Sequence, residues 1–381
     1  MQAQKKKIAL VYDAIFPYVT GGAEKRFFEV GKRLVADGYD VHLYGMKSWD
    51  GADTISQSGM TLHGIMKKES LCTAKGRRSI GEAFRFGLST FRLSKESFDV
   101  IDCCGFPYFS LFSLRLITWA KRKPLYSTWH EVWGREYWKQ YLGPVGILGY
   151  AVEYIAARLP DTVISVSDST TQALQTELGR KGKIITIPNG IDFKKIEGTE
   201  AAEEESDIIF VGRLIPHKNV DKLIEALALA KQRLPDVTLT IVGEGPEKKA
   251  LRKLAKDLDL ERNIRFSGFA PENKLFSYMK SSKMLALPSS REGFGMVVLE
   301  AKACGLPVLT VDEPRNASRH LVKDGKGDKV TELNPASIAK GILDLLENRA
   351  AAGQKQGIER YDWRIITAEV EDAYALSNNL K

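Results

Sequence analysis

The sequence predicts two doubly wound α/β domains that face each other across a cleft. Short apolar and β-branched runs alternate with helical segments, as parallel sheets covered by helices on both faces require. A chain of 381 residues is also longer than one hydrophobic core usually organises. Because the strand–helix pattern restarts in the middle of the chain, we predict an N-terminal domain over residues 1–190 and a C-terminal domain over residues 191–363.

Both predicted domains repeat the same strand–helix order. In the first, we predict strands at 7–12, 41–44, 98–101, 125–128 and 163–166, with helices at 23–36 and 108–121. In the second, we predict strands at 208–211, 239–242, 264–266, 284–287 and 308–311, with helices at 220–234, 247–258 and 296–304. An acidic segment, 197–207, predicts an exposed linker. The last predicted helix covers residues 363–378. It either closes the second domain or belongs to a C-terminal segment, 364–381, that crosses back onto the first.

The net charge of +8 belongs to the first predicted domain. Residues 1–190 hold 26 Lys+Arg against 18 Asp+Glu, whereas the remaining residues hold 30 of each. Much of the excess lies in residues 64–95, where a predicted helix carries four apolar residues at helical spacing: Ile80, Phe84, Leu88 and Phe91. Arg85 and Arg92 lie off that line. Three interpretations of this helix are open: it packs on its own core, it rests on anionic lipid, or it binds nucleic acid. We do not expect nucleic acid, because no nucleic-acid-binding motif accompanies the charge.

The cysteines and apolar runs indicate the compartment. The four cysteines form no CxxC pair and no zinc spacing, which favours a reducing environment. The apolar run near the N-terminus is too short for a signal-peptide core. The longest apolar stretch, 103–120, is interrupted by Gly105, Pro107 and Arg115, so it predicts a buried strand and helix rather than a membrane span. We therefore predict a cytoplasmic protein, peripheral on the inner membrane face if the basic helix binds lipid.

Glycines and cations indicate a phosphate ligand. Gly21 and Gly22 follow the first strand and open a helix, where backbone amides can approach an anion. The GxGxxG and GxxxxGK[ST] spacings are absent, and such a Gly-Gly turn is often structural. Arg213 and Lys218 fall in one loop after strand 208–211, and a guanidinium beside an ammonium suits a diphosphate. Two solvated loop cations are the alternative.

The segment 288–295, Pro-Ser-Ser-Arg-Glu-Gly-Phe-Gly, is the most specific feature of the chain. Glu292 lies in this loop, and Glu300 follows eight residues later, about two helical turns deeper. We expect the amides of Gly293, Phe294 and Gly295, at the helix N-terminus, to bind phosphate. The two carboxylates can accept hydrogen bonds from sugar hydroxyls.

Together, these residues resemble a retaining glycosyltransferase of the GT-B fold, family four, and the resemblance covers essentially the whole chain. The motifs match in order: Gly21 and Gly22 in the Gly-Gly loop, the Asn-Gly-Ile-Asp turn at 189–192, Arg213 and Lys218, the turn at 242–246 with Gly243, and Glu292 with Glu300 in the Glu-x7-Glu motif. Ordered matches of this kind are more specific than any one motif.

The resemblance implies a role for each of these residues. The second domain is expected to bind a nucleotide-diphosphate sugar, a GDP- or UDP-hexose, and the first to shape the acceptor site. Arg213, Lys218, Gly21 and Gly22 are expected to bind the diphosphate, and Glu300 is expected to bind the ribose. Gly243 is expected in the turn near the base. The sugar and phosphates are expected to contact Glu292, Gly293, Phe294 and Gly295. His130, after strand 125–128, is expected near the sugar, although a lone histidine at such a place is more often structural.

The resemblance also implies the reaction. The departing phosphate helps to deprotonate the acceptor hydroxyl on the front face of the sugar, so the catalytic residues are expected to be His130, Arg213, Lys218 and Glu292. No cofactor or metal is expected. The Asp-x-Asp motif at 257–259 predicts a solvated helix face rather than a metal site.

Two segments depart from the family pattern. Residues 316–321, Asn-Ala-Ser-Arg-His-Leu, replace a Gly-Gly segment followed by Glu near the donor, which leaves the choice of sugar open. Asp328-Lys329 replaces a Gly-Phe pair close to residues 324–327, and we interpret this as a surface change.

The acceptor is the least defined part of the prediction. The basic first domain favours a lipid-linked or phospholipid acceptor at an anionic membrane face, and a soluble glycan acceptor is the alternative. A nucleotide-sugar epimerase of the same fold and a non-catalytic nucleotide-sugar-binding protein are the competing functions. A nicotinamide-dependent dehydrogenase is disfavoured because neither domain has a GxGxxG loop with an acidic residue about 20 residues further on.

Overall fold

The computed structural model describes residues 5–71, 78–322, 327–347 and 357–376. The chain divides into two compact units, one formed by Met1–Gly190 with Trp363–Lys381 and the other by Ile191–Asp362. Residues 72–77, which include one of the four cysteines and part of the basic stretch 64–95, lie outside the described residues, as do residues 323–326.

An eight-stranded sheet forms the centre of the first unit. Its strands are β1 (Lys7–Val11), β2 (Asp40–Lys47), β3 (Thr54–Gln57), β4 (Met60–Lys67), β5 (Val100–Cys104), β6 (Leu125–Trp129), β7 (Thr162–Ser165) and β8 (Lys183–Thr186). The helices are α1 (Gly22–Ala36), α2 (Ile80–Ser89), α3 (Phe109–Lys121), α4 (Gly134–Leu142), α5 (Gly146–Ala156) and α6 (Asp168–Thr176). The strand order is β3-β4-β2-β1-β5-β6-β7-β8, parallel except for β3. The central strands are buried because helices cover both faces.

The β3–β4 hairpin is absent from the sequence prediction. Gln57 pairs with Met60, and the two residues between them, Ser58 and Gly59, have φ of 53° and 80°. Positive φ at both positions is the geometry of the turn that joins two antiparallel strands with a right-handed twist. The Ser58-Gly59 pair, between two segments in which polar and apolar residues alternate, was therefore the sequence feature that could have predicted this hairpin.

A six-stranded parallel sheet forms the second unit. Its strands are β9 (Ser206–Val211), β10 (Leu239–Val242), β11 (Ile264–Gly268), β12 (Ser282–Leu287), β14 (Val308–Val311) and β16 (Lys329–Thr331), in the order β11-β10-β9-β12-β14-β16. The short strands β13 (Arg291–Glu292) and β15 (Arg315–Asn316) pair separately. The helices are α7 (Phe193–Glu197), α8 (Val220–Lys231), α9 (Lys248–Asp257), α10 (Glu272–Lys280), α11 (Met296–Ala303) and α12 (Pro335–Glu347).

The acidic segment 197–207 is not the linker, and this part of the prediction was wrong. It lies inside the second unit, where it is hydrogen-bonded to α10. Lys280 Nζ donates to the carbonyl oxygens of Glu197 and Thr199, and Ser277 Oγ donates to that of Glu200. These bonds hold a charged, partly exposed segment in place, which composition alone does not reveal.

The last helix, α13 (Trp363–Leu376), groups with the first unit. Trp363, Ile366 and Val370 are buried. Tyr126 of β6 donates its hydroxyl hydrogen to the carbonyl oxygens of Ala373 and Tyr374, at 3.2 and 3.3 Å. The chain therefore crosses back, and the predicted helical residues 377 and 378 lie outside the described residues.

The apolar stretch 103–120 forms the end of β5 and most of α3, as predicted. Within the described ranges, every helix is too short or too polar to span a bilayer.

Candidate active site

Glycines bring two loops of the second sheet together at the carboxyl ends of β9 and β10. Gly243 has φ of +149°, and a Cβ atom there would lie 1.9 Å from the carbonyl oxygen of Gly212. The amide of Gly243 donates to the carbonyl of Gly268 at 2.8 Å, and Leu214 donates to Glu244 at 2.9 Å. Gly243 therefore allows close backbone packing behind Arg213, whose side chain is exposed.

Lys218 and Glu292 form an ion pair across two loops. Lys218 ends a 3₁₀ turn, Pro216–Lys218, and its Nζ lies 2.5 Å from Glu292 Oε1. Both side chains are partly buried, each 14% exposed. The structure thus brings together two of the residues that the sequence predicts for the site.

Backbone hydrogen bonds fix these two loops to each other. The carbonyl of His217 accepts from the amide of Ser290 at 2.9 Å and from its hydroxyl at 3.3 Å. Asn219, in the left-handed conformation with φ of 50°, donates from Nδ2 to the carbonyl of Pro288 at 2.9 Å. The ion pair therefore rests on a rigid support that does not depend on the two charges.

The segment 316–318 packs against the glycine loop. Asn316 lies opposite Glu292 in the β13–β15 pair, and its buried side chain donates to Thr310 Oγ1 and the carbonyl of Val311, at 3.0 and 2.8 Å. Asn316 Oδ1 accepts from Ser318 Oγ at 2.6 Å. A Cβ atom on Gly295, which has φ of +97°, would lie 2.4 Å from Ser318 Cβ. Within the segment 316–321, which departs from the family pattern, Asn316 and Ser318 therefore form a buried polar network.

The helix α11 begins directly after Gly295. Phe294 is buried and packs edge-on against Tyr361, with ring centroids 5.9 Å apart. Glu300 is buried in the second turn of α11. Gly293, Phe294 and Gly295 thus lie at a helix N-terminus, as predicted from the strand–loop–helix pattern, with Glu300 deeper in the helix.

Asp328 is not a surface substitution, and this interpretation was wrong. Its carboxylate is buried, lies 2.5 Å from Lys302 Nζ and accepts from the amide of Val308 at 2.9 Å. It joins α11 to the start of β14. Lys329, by contrast, is partly exposed and pairs with Asp344 at 3.2 Å.

Gly21 and Gly22 lie at the exposed N-terminus of α1 in the first unit. Gly21 has extended backbone and caps the helix, and its carbonyl accepts from the amide of Lys25 at 3.1 Å. The first amides of a helix have no partner within the helix, so this turn can approach an anion.

His130 follows the end of β6 in the first unit. Burial, with a smaller effect of the nearby Arg26 charge, lowers the pKa of His130 to about 3, so the imidazole is neutral at neutral pH. Its Nε2 has no hydrogen-bond partner among the described residues. Arg26 of α1 is itself buried, and it donates to the carbonyl of Pro188 and to Asn189 Oδ1. Burial lowers the pKa of Arg26 to about 10, which leaves it charged.

Glu153, which sequence reasoning missed, holds the loop after His130. This buried carboxylate on α5 accepts four hydrogen bonds, at 2.7 to 3.0 Å, from Trp133 N, Gly134 N, Tyr108 OH and Trp138 Nε1. Burial raises the pKa of Glu153. The sequence signal was one carboxylate in an otherwise apolar helix, GILGYAVEYIA.

A second missed cluster lies at the carboxyl end of β1. Arg78 is ion-paired with Asp13 and with Glu82, the latter at 2.8 Å, and both carboxylates are buried. Tyr141 OH accepts from the amide of Arg78. The sequence feature that could have indicated this cluster was the acidic residue Asp13, close to the end of the first strand. Arg78 therefore neutralises buried carboxylates and does not add to the surface charge of the basic segment.

The fold defines the class of the protein, which is GT-B. The Anabaena protein HepE, solved with UDP and glucose, aligns with a TM-score of 0.75 and 21% identity over 97% of this chain and 99% of that chain. Residues 20–195 match the family described as Glycosyltransferase Family 4, and residues 192–360 match Glycosyl transferases group 1. The chain belongs to the family 4 glycosyltransferases.

Curated relatives are similar over part of their length. The phosphatidyl-myo-inositol mannosyltransferase of Mycobacterium tuberculosis is 29% identical over 60% of this chain and 62% of its own length. The glycogen synthase of the same organism is 28% identical over 66% of this chain and 63% of its own length. The match thus spans less than two thirds of either relative.

Proposed function

We propose that this protein is a retaining glycosyltransferase that moves a hexose from a nucleotide-diphosphate sugar to an acceptor hydroxyl. The observation that carries the proposal is the Lys218–Glu292 pair, set between two hydrogen-bonded loops at the carboxyl edge of the second sheet. Ligands of open α/β sheets bind outside the carboxyl ends of the strands.

The ion pair suggests how this unit takes up the donor. Without donor, Glu292 neutralises Lys218. A diphosphate offers the ammonium more negative charge, and exposed Arg213 provides a second cation at the same edge. Once Lys218 turns to phosphate, the Glu292 carboxylate can accept hydrogen bonds from sugar hydroxyls. Amides of Gly293, Phe294 and Gly295 bind the sugar and phosphates, Glu300 binds the ribose, and Gly243 shapes the turn on the base side.

The proposed chemistry needs no strong protein nucleophile. Arg213 and Lys218 stabilise the charge that develops on the departing diphosphate, together with the amides of Gly21 and Gly22. The departing phosphate oxygen accepts the proton of the acceptor hydroxyl as the new glycosidic bond forms on the same face. Because the pKa of His130 is about 3, its imidazole is neutral. We therefore propose that it forms a hydrogen bond with the sugar and does not transfer a proton to it. No metal or cofactor enters this scheme.

We propose that the acceptor is lipid-linked or a phospholipid. The similar mycobacterial protein is a phosphatidyl-myo-inositol mannosyltransferase, whereas the similar glycogen synthase makes a soluble glycan the competing acceptor. The excess positive charge of residues 1–190 favours an anionic lipid.

A ligand screen followed by product analysis tests the proposal. Thermal shifts are measured with UDP, GDP, ADP, their sugar conjugates and NAD, first with a chelator and then with magnesium. The expected result is stabilisation by one class of nucleotide diphosphate without metal. The stabilising sugar nucleotide is then incubated with phosphatidylinositol vesicles, and NMR of the product reports the anomeric configuration. Stabilisation by NAD alone, an epimerised donor or an inverted product contradicts the proposal.

A further inference from the structure

The apolar stripe of α2 does not face the protein core. Phe84 is 50% exposed and Leu88 is 51% exposed. The helix packs on the core through a different side, formed by Ala83, Phe86 and Gly87. The interpretation that this helix packs on its own core therefore holds for that side, while the apolar stripe is left exposed.

The exposed stripe continues from α2 onto α3. The two helices touch closely, since a Cβ atom on Gly87 would lie 2.6 Å from Phe109 Cβ. The Phe84 and Phe109 rings meet edge to face at 5.5 Å. Along α3, Phe109 is followed at helical spacing by Phe112, Leu116 and Trp119, and Trp119 is 75% exposed.

Helix α5, which packs on α3, exposes further large apolar side chains. Leu148 is 64% exposed, and Ile147 and Ile155 are about half exposed. We call Phe84, Leu88, Leu116, Trp119, Leu148 and Ile155 the exposed apolar face. Exposed apolar side chains grouped in this way mark surfaces that bind another protein or a membrane, because scattered single residues are the ordinary case.

Cations lie beside this face. Arg92 and Lys95, both exposed, lie in the 3₁₀ helix Thr90–Lys95 that directly follows α2, beside the apolar line of Phe84 and Leu88 and not on it. Arg122, also exposed, follows Trp119 at the end of α3. Arg85 lies between Phe84 and Leu88 in the sequence and pairs with Glu69. The occupant of such a surface is expected to be both apolar and anionic.

We propose that the exposed apolar face docks on an anionic lipid bilayer. The aromatic and aliphatic side chains enter the boundary between headgroups and acyl chains, while Arg92, Lys95 and Arg122 bind lipid phosphates. A helix that lies on the surface needs no membrane span. This docking does not require the transferase reaction, and it deepens the proposed function by bringing the chain to a lipid acceptor.

Vesicle flotation of the full chain tests the docking. The protein is mixed with vesicles of phosphatidylcholine alone or of phosphatidylcholine with phosphatidylglycerol, without nucleotide sugar. We expect flotation with the anionic vesicles only. Replacing Arg92 and Lys95 by Gln should weaken the partition roughly fivefold per charge, and added salt should weaken it further. The triple variant Phe84→Ser, Leu88→Ser, Trp119→Ser should lose flotation.

Phe269→Ser is the matched control for the triple variant. Phe269 is 62% exposed but lies in the second unit, so its replacement should leave flotation unchanged. Thermal shift with the donor nucleotide shows whether each variant is folded. Absence of the wild type from the floating fraction, or undiminished flotation of the triple variant, overturns the proposal. A wild-type dimer that the triple variant converts to monomer in sedimentation assigns the face to a second copy instead.

The two proposals fail in distinguishable ways. Flotation without any nucleotide stabilisation or product leaves the docking surface intact and removes the transferase. Transfer to a soluble acceptor without flotation removes the docking surface and leaves the transferase.

Discussion

The two units place their charged groups differently at the carboxyl edges of their sheets. In the second unit, Arg213 is exposed, and Lys218 and Glu292 pair within hydrogen-bonded loops. In the first unit, the charges near His130 are buried: Arg26 on α1 and Glu153 on α5. The second unit therefore leaves Arg213 open to an anionic ligand and Lys218 partly accessible, whereas the first unit uses charge to hold a loop and to shift pKa values.

This difference indicates what each unit contributes. A ligand can compete for a cation only where the cation is accessible, so the second unit is expected to lose function when a charge is removed. Buried charges are fixed to protein partners, so the first unit is expected to lose stability. Removing one charge at a time in each unit therefore tests the comparison.

The largest effect is expected for Lys218→Ala. This change removes the ammonium proposed to stabilise the departing diphosphate, so kcat/KM should fall by about a hundredfold, equivalent to about 3 kcal/mol. The loop should stay folded because the His217–Ser290 and Asn219–Pro288 hydrogen bonds remain. Steady-state transfer and urea unfolding measure the two quantities.

Lys283→Ala is the matched control for this prediction. Lys283 also pairs with a carboxylate, Asp207, at 2.6 Å, but both residues lie at the amino ends of β12 and β9. Its replacement should leave kcat/KM within about twofold. Equal loss of activity in both variants, or none in Lys218→Ala, would show that the Lys218–Glu292 pair has no special role.

The second unit could be predicted well from sequence because its motifs are local. Strands at 239–242 and 308–311 were predicted to the residue, and the loop 288–295 lies between a strand and a helix as expected. The prediction failed at Asp328, whose burial depends on Lys302, 26 residues away in the chain. Such a pairing leaves no periodic pattern.

The first unit was less predictable because its contacts are long-range. Asp102 of β5 accepts from Thr128 and from Tyr374, which is 272 residues away. Which side chains of α2 are exposed also depends on which side of α2 packs against α3. An amphipathic pattern identifies an apolar stripe, but it does not show whether protein or another phase covers it.

An intermediate effect is expected for Glu153→Ala. The change leaves four buried donors without their acceptor, including the amides of Trp133 and Gly134, so the free energy of unfolding should fall by about 2 kcal/mol. Tryptophan fluorescence during urea unfolding measures it, because Trp138 donates directly to Glu153. Nucleotide affinity should not change where the variant is folded.

Glu153→Gln provides the conservative comparison. Glutamine keeps one acceptor oxygen but places an amide donor against donors, so its stability should lie between those of wild type and Glu153→Ala. A Glu153→Ala variant as stable as wild type would remove the claim that this carboxylate holds the loop. Loss of nucleotide binding in the folded variant would contradict the functional separation of the two units.

In the wild type, the smallest effect is expected for pH, because two buried groups of the first unit make opposite contributions to stability. Burial raises the pKa of Asp102 to about 6 from 3.8, so between these values the folded protein holds a proton that the unfolded chain lacks, and stability falls as pH rises. Burial lowers the pKa of His130 from 6.5 to about 3, so there the unfolded chain holds the extra proton, and stability rises with pH.

The two contributions offset each other between about pH 4 and about pH 6 in the wild type. Asp102→Asn removes the falling contribution, so its unfolding free energy should rise with pH more steeply than that of the wild type, by about 1.4 kcal/mol per pH unit. His130→Asn removes the rising contribution and should change the slope by a similar amount in the opposite direction. Urea unfolding across this window measures both slopes. Parallel slopes in the three proteins would mean that neither group titrates differently on folding, and the contrast between buried and accessible charge would then rest on the second unit alone.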